Sequence, residues 1–360
     1  MDKTLHPHRA GTRQVRIGDI VVGGGAPVAV QSMNMTDTRD VAATLAQIAS
    51  LAQCGCEIAR VAIPDREAAL ALREICRAAP IPVVADIHFD YRLAIDSIKS
   101  GAAKIRINPG NIGGLDRVRE IADTAKAHGI PIRVGVNSGS LSQRMLDKYH
   151  GVNQDSMVES ALESLRMLET CGFHDIVVSL KASDPLLMIE SYRLLADRVS
   201  YPLHLGVTEA GTPFEGSIRS SVGIGTLLAE GIGDTLRVSL TGMPEEEVRV
   251  AYSILKALRL RIRGPEMVSC PTCGRTQVDL IGIAARVEER LKSEKRNLRV
   301  AVMGCAVNGP GEAREADIGI AGGKGEFLIF SKGHILRKVG ENEAVDELFL
   351  EIDRLGESKT

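Results

Sequence analysis

From about residue 28 to residue 260, short β-rich segments and helix-patterned stretches alternate eight times, and few folds satisfy that rhythm. The β-rich segments are VAVQSM (28–33), EIARVAI (57–63), IPVVADIHF (81–89), KIRINPG (104–110), IPIRVGVN (130–137), DIVVSLKAS (175–183), PLHLGVTEAG (202–211) and TLRVSLTG (235–242). Between them lie stretches such as DVAATLAQIASLAQ and LDRVREIADTAKAHG, whose apolar residues recur at helical spacing. The Gly that closes several of these stretches reads as a helix stop before the next strand. Eight such units joined by short connections predict an α/β fold, a (β/α)8 TIM-type barrel. A doubly wound open sheet is the alternative, and it usually runs to fewer units.

After RLRIRGPEMVS the rhythm changes. The remainder reads as CPTCGR, a helix over about 277–294, the strand LRVAVMG, a Gly-rich turn, two or three short strands and a charged closing helix. That is a small α+β domain. The expected division is 1–263 for the barrel and 264–360 for the second domain, with the boundary near Arg263–Ser269.

The 360 residues carry a net charge of −2, which offers no global field for nucleic acid or an anionic membrane. With 3% aromatic residues and no Trp, stacking platforms for single-stranded bases are not expected. The N-terminal MDKTLHPHRAGTRQ lacks the apolar core of a signal peptide. No apolar run approaches the roughly 20 residues that span a bilayer. A cytoplasmic protein is therefore expected, whose seven cysteines serve metal binding, catalysis or plain burial rather than disulfides.

Side chains on a barrel strand alternate between the interior and the surrounding helices, and function collects at the strands' C-terminal ends. Read with period two, the fourth segment turns Arg106 and Asn108 inward, opposite Ile105 and Ile107. The fifth turns Arg133, Gly135 and Asn137 inward, and the sixth Ser179 and Lys181. Arg60 comes from the second segment, and Asp86 with His88 from the third. The seventh ends in Thr208-Glu209, and the eighth adds Arg237 and Ser239. Arg60, Arg106, Arg133 and Lys181 thus converge near one mouth, where Asp86 and Glu209 are too few to neutralise them. Buried cations without partners are costly, so an anion is expected there. The planar, Arg-rich set suits a phosphate or diphosphate. Salt bridges that merely plug the barrel are the structural alternative.

Two Gly-rich runs carry less. VGGGAP (22–27) reads as a turn feeding the first strand, and GIGTLL (223–228) invites reading as a helix N-terminus that holds phosphate. Neither completes a nucleotide-binding fingerprint. His88, sharing a face with Asp86, is a candidate proton donor or phosphate ligand.

Cys54, Cys56, Cys76 and Cys171 lie among Ala, Leu and Gly in helical patterns and read as small buried hydrophobes. Cys270 and Cys273 share the turn CPTCGR, and Cys305 stands on the Gly/Pro-rich loop of MGCAVNGPGE. Thiolates gathered in this way select zinc or iron–sulfur. A structural zinc site needs a fourth Cys or His. The second CxxC is missing, and the nearest later His is His334 on a distant strand pattern. Glu312 follows Cys305 instead, so that three thiolates and a weaker oxygen ligand would leave one iron of a cluster open.

Taken in order, QSMNMTDTRD, ADIHFD, KIRINPGN, IRVGVNSGSL, VSLKASD, GVTEAG, SCPTCGR and GCAVNGPGEA resemble the blocks of the bacterial 4-hydroxy-3-methylbut-2-enyl diphosphate synthases of the methylerythritol phosphate route to isoprenoids. The resemblance covers nearly the whole chain and follows the two-domain form of that family. It implies a [4Fe–4S] cluster held by Cys270, Cys273, Cys305 and Glu312. It implies a cyclic diphosphate bound by Arg60, Arg106, Arg133 and Lys181, with Asp86, His88, Asn108, Asn137, Thr208 and Glu209 around them; Ser239 of the eighth segment is a further candidate for substrate binding. The implied reaction is the two-electron reductive opening of 2-C-methyl-D-erythritol 2,4-cyclodiphosphate, with Glu209 as candidate acid for the departing hydroxyl. The electrons would come from flavodoxin or ferredoxin. A homodimer is implied in which the cluster domain of one chain caps the barrel of the other. The rival from the residues alone is a redox-silent phosphosugar-type barrel with a structural zinc module.

Overall fold

The computed structural model describes residues 7–305 and 313–357. The chain divides into two compact units, Met1–Arg261 and Ile262–Thr360.

The first unit opens with a hairpin of β1 (Val15–Ile17) and β2 (Ile20–Val22). The barrel follows, built from β3 (Ala29–Met33), β4 (Ile58–Ala62), β5 (Val83–Asp86), β6 (Lys104–Ile107), β7 (Ile132–Asn137), β8 (Ile176–Lys181), β9 (His204–Leu205) and β10 (Thr235–Leu236). Neighbouring strands pair in parallel in chain order, and β10 returns to β3. A single parallel bridge, Val178 to Leu203, joins β8 to β9 and completes the ring. The (β/α)8 barrel expected from the alternation is thus the fold of this unit.

Local chemistry explains the units. Asp40, Asp65, Asp90 and Asp184 each cap the helix after a strand by accepting a backbone N–H of its first turn. Gly55 and Gly129 end helices in the left-handed conformation, with φ of 101° and 64°, where a Cβ is disfavoured. Outward strand residues such as Ile105, Ile107, Val134 and Leu180 join the helices' apolar faces in one large core.

The barrel's N-terminal end is closed. Val15, Ile17 and Val22 of the hairpin pack on Ala29, Ile58, Val84 and Val177, which face the axis at the start of their strands. VGGGAP is the turn leaving this hairpin, and Gly23, Gly24 and Gly25 all have positive φ. Among the described residues, the C-terminal mouth is the end left to admit a ligand. GIGTLL does not frame it: residues 223–228 lie inside the helix Pro213–Ala229 rather than at its start. Gly223 is small because a Cβ there would come within 2.8 Å of Val207.

The second unit is a five-stranded sheet ordered β11 (Glu266–Ser269), β12 (Arg299–Met303), β13 (Ile318–Gly322), β14 (Glu326–Ser331) and β15 (His334–Gly340). The first three strands are parallel and the last two antiparallel to their neighbours. Val300, Val302, Ile318 and Ile320 bury one face beneath the helices Leu280–Leu291 and Ala344–Glu357. Residues 266–269, expected to fall at the boundary, are instead the edge strand β11. Pairing with β12 supplies the ladder that four isolated residues cannot signal.

Candidate functional site

The inward parity read from sequence is the parity of the structure. Arg60, Arg106, Arg133 and Lys181 are all buried inside the barrel unit. Asp86 is the acid among them: its carboxylate lies 3.3 Å from Arg106 Nη1, 3.9 Å from Arg60 Nε and 3.5 Å from His88 Nε2. Burial would push the Asp86 carboxyl up, yet Arg60, the hydrogen bond from His88, Arg106 and Arg133 hold it well below the usual carboxylate range. Burial draws the Arg60 guanidinium down to about 10, against the pull of Asp86. Arg60 also donates to Met33 Sδ from Nε and Nη2, at 3.1 and 2.7 Å.

Arg133 and Lys181 differ from that pair, because neither forms an ion pair with a described carboxylate. Burial and the neighbouring cations lower both groups' affinity for a proton well below the ordinary value. Among the described residues Asp86 is the acid in ion-pair reach of Arg60 and Arg106, and one carboxylate cannot neutralise Arg60, Arg106, Arg133 and Lys181 together.

Two glycines make room for the Arg106 and Lys181 side chains. A Cβ on Gly135 would lie 2.3 Å from Arg106 Nε, where the guanidinium crosses β7 to donate to Gly135 O at 3.3 Å. A Cβ on Gly206 would lie 2.7 Å from the Arg237 carbonyl and 3.1 Å from Lys181 Nζ.

The other candidates ring the mouth on different footings. Asn108 is buried, and its side-chain oxygen accepts from Gly110 N at 3.3 Å, so its NH2 group is the end left for a ligand. Asn137 ends β7 half-buried, and Ser239 and Thr208 are half-buried as well. His88 and Glu209 are exposed. Glu209 holds a left-handed backbone, φ 51°, which is uncommon outside glycine and costs energy that functional sites tolerate.

The seventh and eighth strands are much shorter than their segments suggested. β9 and β10 stop at Leu205 and Leu236, so Thr208, Glu209, Arg237 and Ser239 stand on irregular backbone beyond the ladder. Arg237 is held there by Glu247 of the helix Pro244–Ala257, a buried acid that period-two reading of strands could not reach. Lys104 was missed too: it shares the inward parity of Arg106 and is fully buried. Around the mouth, Met35, Phe89, Leu186, Phe214 and Met243 follow β3, β5, β8, β9 and β10 with large apolar side chains exposed, Phe89 by 72% and Phe214 by 75%.

In the second unit, Cys270 leaves β11 and Cys305 follows β12, so adjacent parallel strands deliver both to the same end of the sheet. Cys270 N donates to Val302 O at 3.2 Å. A Cβ on Gly304 would lie 2.9 Å from Thr276 Oγ1, so the Cys305 loop runs against the turn that carries Cys273. Cys273 N donates to Thr276 Oγ1 at 3.3 Å, and hydrogen bonds from the Arg275 backbone and side chain lower its thiol below the ordinary value. Cys273 is exposed, and Cys270 and Cys305 are half-buried. Among the described residues no group of three ligating side chains is close enough to hold a metal ion, and Glu312 lies outside them. His334 sits on β15, three strands from β12 and so roughly 14 Å across the sheet, too far to complete a zinc site with Cys305. By residue type the thiolates of Cys270, Cys273 and Cys305, carried on neighbouring loops, are donors of the kind that iron–sulfur clusters take.

Of the remaining cysteines, Cys56 is buried, and burial pushes the thiols of Cys56 and Cys76 up to about 12. Cys54, Cys76 and Cys171 pack half-buried against the core.

The GcpE TIM-barrel domain profile matches residues 12–252, and that of the GcpE protein C-terminal domain matches residues 266–354. The 4-hydroxy-3-methylbut-2-en-1-yl diphosphate synthase (flavodoxin) of Ruminiclostridium cellulolyticum is 58% identical over 347 residues, spanning 96% of this chain and 98% of that relative. The protein of the same name from Geobacter sulfurreducens is 57% identical over 347 residues, with 96% and 98% covered. Among solved structures, dihydropteroate synthase from Stenotrophomonas maltophilia covers 69% of this chain and 97% of its own, with a TM-score of 0.51 and 15% identity. That likeness speaks to the fold alone.

Proposed function

The chain belongs to the GcpE family, and we propose that its barrel mouth binds the ring diphosphate of 2-C-methyl-D-erythritol 2,4-cyclodiphosphate, which the enzyme converts with two electrons into 4-hydroxy-3-methylbut-2-enyl diphosphate and water. The relatives named above carry this reaction's product in their name. The observation that carries the binding reading is the unanswered charge of Arg133 and Lys181 beside the shared Asp86. The redox-silent, zinc-bearing alternative finds no support among the relatives.

Asp86 aligns Arg60 and Arg106, so their donors are in place before the ring opens. As the ring C–O bond breaks, negative charge grows on the diphosphate, and donors fixed in a low-dielectric site stabilise it without reorganising. Lys181 and Arg133 add charge, while the NH2 group of Asn108, Asn137 and the hydroxyls of Thr208 and Ser239 orient the ligand. Glu209 would protonate the departing hydroxyl, and His88, whose Nε2 faces Asp86, would hold or pass a proton at Nδ1.

Cys270, Cys273 and Cys305, with Glu312, would hold a [4Fe–4S] cluster, which supplies electrons one at a time from flavodoxin or, alternatively, ferredoxin. The exposed apolar rim suits a second copy of the chain, which would complete a homodimer and exclude water from the mouth. No described helix is long and apolar enough to cross a membrane, and we place the enzyme in the cytoplasm, where its thiols stay reduced.

The test is anaerobic purification followed by turnover with reduced flavodoxin. The protein should be brown, carry about four iron and four sulfide per chain, and release the open-chain diphosphate. Colourless, zinc-loaded protein without turnover would refute the reading. A Glu209→Gln variant that turned over at the wild-type rate would remove Glu209 from the proton transfer.

A further inference from the structure

The seam that closes the barrel is built differently from its other joints. β7 and β8 pair over six residues, from Ile132 with Ile176 to Asn137 with Lys181. Among the described residues β8 and β9 share the single bridge of Val178 with Leu203. Even so, the register of a regular parallel ladder is kept on both sides of the gap. Val178 N donates to Pro202 O at 2.9 Å before it, and Thr208 N donates to Ala182 O at 3.1 Å beyond it. Both bonds belong to one register, which sets Val178 opposite Leu203 and Ala182 opposite Val207. In that register Leu180 N–H is due to donate straight to His204 O.

Tyr192 takes the place of that bond. Leu180 N donates to the Tyr192 hydroxyl at 2.9 Å, and the hydroxyl donates to His204 O. The tyrosine comes from the helix Pro185–Ala196 outside the strands and is fully buried. A phenol hydroxyl accepts one hydrogen bond and donates another, so neither backbone group is left unpaired. The substitute is longer, however. With an oxygen interposed, donor and acceptor stand about 4–5 Å apart rather than about 2.9 Å. Because the ladder bonds on either side are kept, the hydroxyl is a wedge one bond high.

The wedge lies beside Lys181. That residue follows Leu180, and its side chain crosses the seam: a Cβ on Gly206 would come within 3.1 Å of Nζ and 3.3 Å of Cε. Gly206 is two residues beyond His204, and Thr208 two further on. Seam width at Leu180 and His204 therefore fixes where the ammonium stands against Gly206 and Thr208. Packing alone would be served by the ring of Phe, whereas both bonds of the hydroxyl go to the seam.

We propose that Tyr192 is a positioning residue for the ligand of the mouth, its hydroxyl holding β8 and β9 apart so that Lys181 reaches the diphosphate. This rests on the diphosphate reading given above.

Tyr192→Phe in the holoenzyme gives the test. A crystal structure of the variant should show Lys181 Nζ displaced by about 1 Å, a shift large enough to spoil a binding contact. The KM for the cyclic diphosphate should rise about tenfold while kcat stays within about threefold, because Lys181 holds the phosphates before the chemical step as well as during it. Calorimetry should give the same tenfold rise in Kd. In a double-mutant cycle with Lys181→Met, Tyr192→Phe should cost no further affinity. An unmoved Lys181, wild-type affinity in Tyr192→Phe, or an equal loss with and without Lys181 would overturn the proposal. If Tyr192→Phe does not fold, 4-aminophenylalanine in place of Tyr192 keeps the ring and the donor but accepts poorly. The same cycle should then show a smaller loss that again vanishes with Lys181→Met. Wild-type enzyme that bound no cyclic diphosphate would instead sink the diphosphate reading, and the variant's crystal structure would still decide whether Tyr192 places Lys181.

Discussion

Glu247 grips the guanidinium of Arg237 through two hydrogen bonds, 3.0 Å to Nη2 and 3.3 Å to Nε. The same carboxylate accepts from Ser32 Oγ at 2.9 Å and from Leu240 N at 3.1 Å. One buried acid thereby ties β3, the irregular segment after β10 and the helix Pro244–Ala257, and aims Arg237 without itself lining the mouth.

Glu247→Gln keeps the shape and removes the charge. A charge-assisted hydrogen bond is worth about 1.5–3 kcal/mol, so kcat/KM should fall about tenfold to a hundredfold. The far-ultraviolet spectrum should be unchanged, and unfolding should cost about 1–3 kcal/mol less. Steady-state kinetics and denaturant unfolding check both; full activity in the variant would show that Arg237 needs no anchor.

Gly135→Ala tests the room left for Arg106. The obstructed atoms belong to a side chain, so the fold should survive while the guanidinium is displaced from Asp86 and Gly135 O. We expect kcat/KM to drop by at least about tenfold, equivalent to about 1.4 kcal/mol, with a melting temperature close to wild type. An active Gly135→Ala enzyme would mean that Arg106 is not held where it matters.

Asp234 sets a pH dependence at the closed end of the barrel. Burial pushes its carboxyl up to about 6, against the pull of Leu203 N–H, Arg9 and Thr12. Because the folded value lies above the ordinary 3.8, the group's contribution is fully present below about pH 4 and is lost as pH rises through about 6. The stability of wild type relative to Asp234→Asn should therefore fall by about 2–3 kcal/mol between pH 4 and pH 7. Urea unfolding of both proteins across that range measures it, and effects of acid on other groups cancel in the difference. A flat difference would place Asp234 in a wetter setting than its burial indicates.

Cys305→Ser should remove the brown colour and most of the iron, while the barrel keeps its fold, since the two units have separate cores. Iron analysis and circular dichroism decide it. Undiminished iron in the variant would exclude Cys305 as a ligand.

Much of the barrel unit was legible because alternation has a simple physical cause. A strand with one face on a helix layer must place an apolar residue at every second position, so Ile105, Ile107, Val134 and Leu180 announce both the strand and its outward side. Inward parity then located Arg60, Arg106, Arg133 and Lys181. The same parity contained Lys104, Gly135 and Gly206, yet it carried no sign of depth or of clearance. Strand ends were harder to place. PLHLGVTEAG and TLRVSLTG are β-rich throughout, but only two residues of each join the ladder, because pairing depends on neighbours and not on the segment itself. β11 escaped notice for the same reason, and GIGTLL resembled a helix start only in isolation.

What the chain by itself determined was the eightfold βα rhythm, the convergence of cations at one barrel mouth and the thiolate turn CPTCGR, all of them consequences of local period and residue type. Only the tertiary structure decided which charges are answered. Asp86 binds Arg60 and Arg106, Glu247 arrives from a helix ten residues beyond Arg237 to hold it, and Lys104, Arg133 and His204 are buried without a hydrogen-bond partner for Nζ, for Nε and Nη1, and for Nε2 among the described residues. Compensation between charges falls off steeply with distance, and distance across a barrel is a property of closure, not of sequence order.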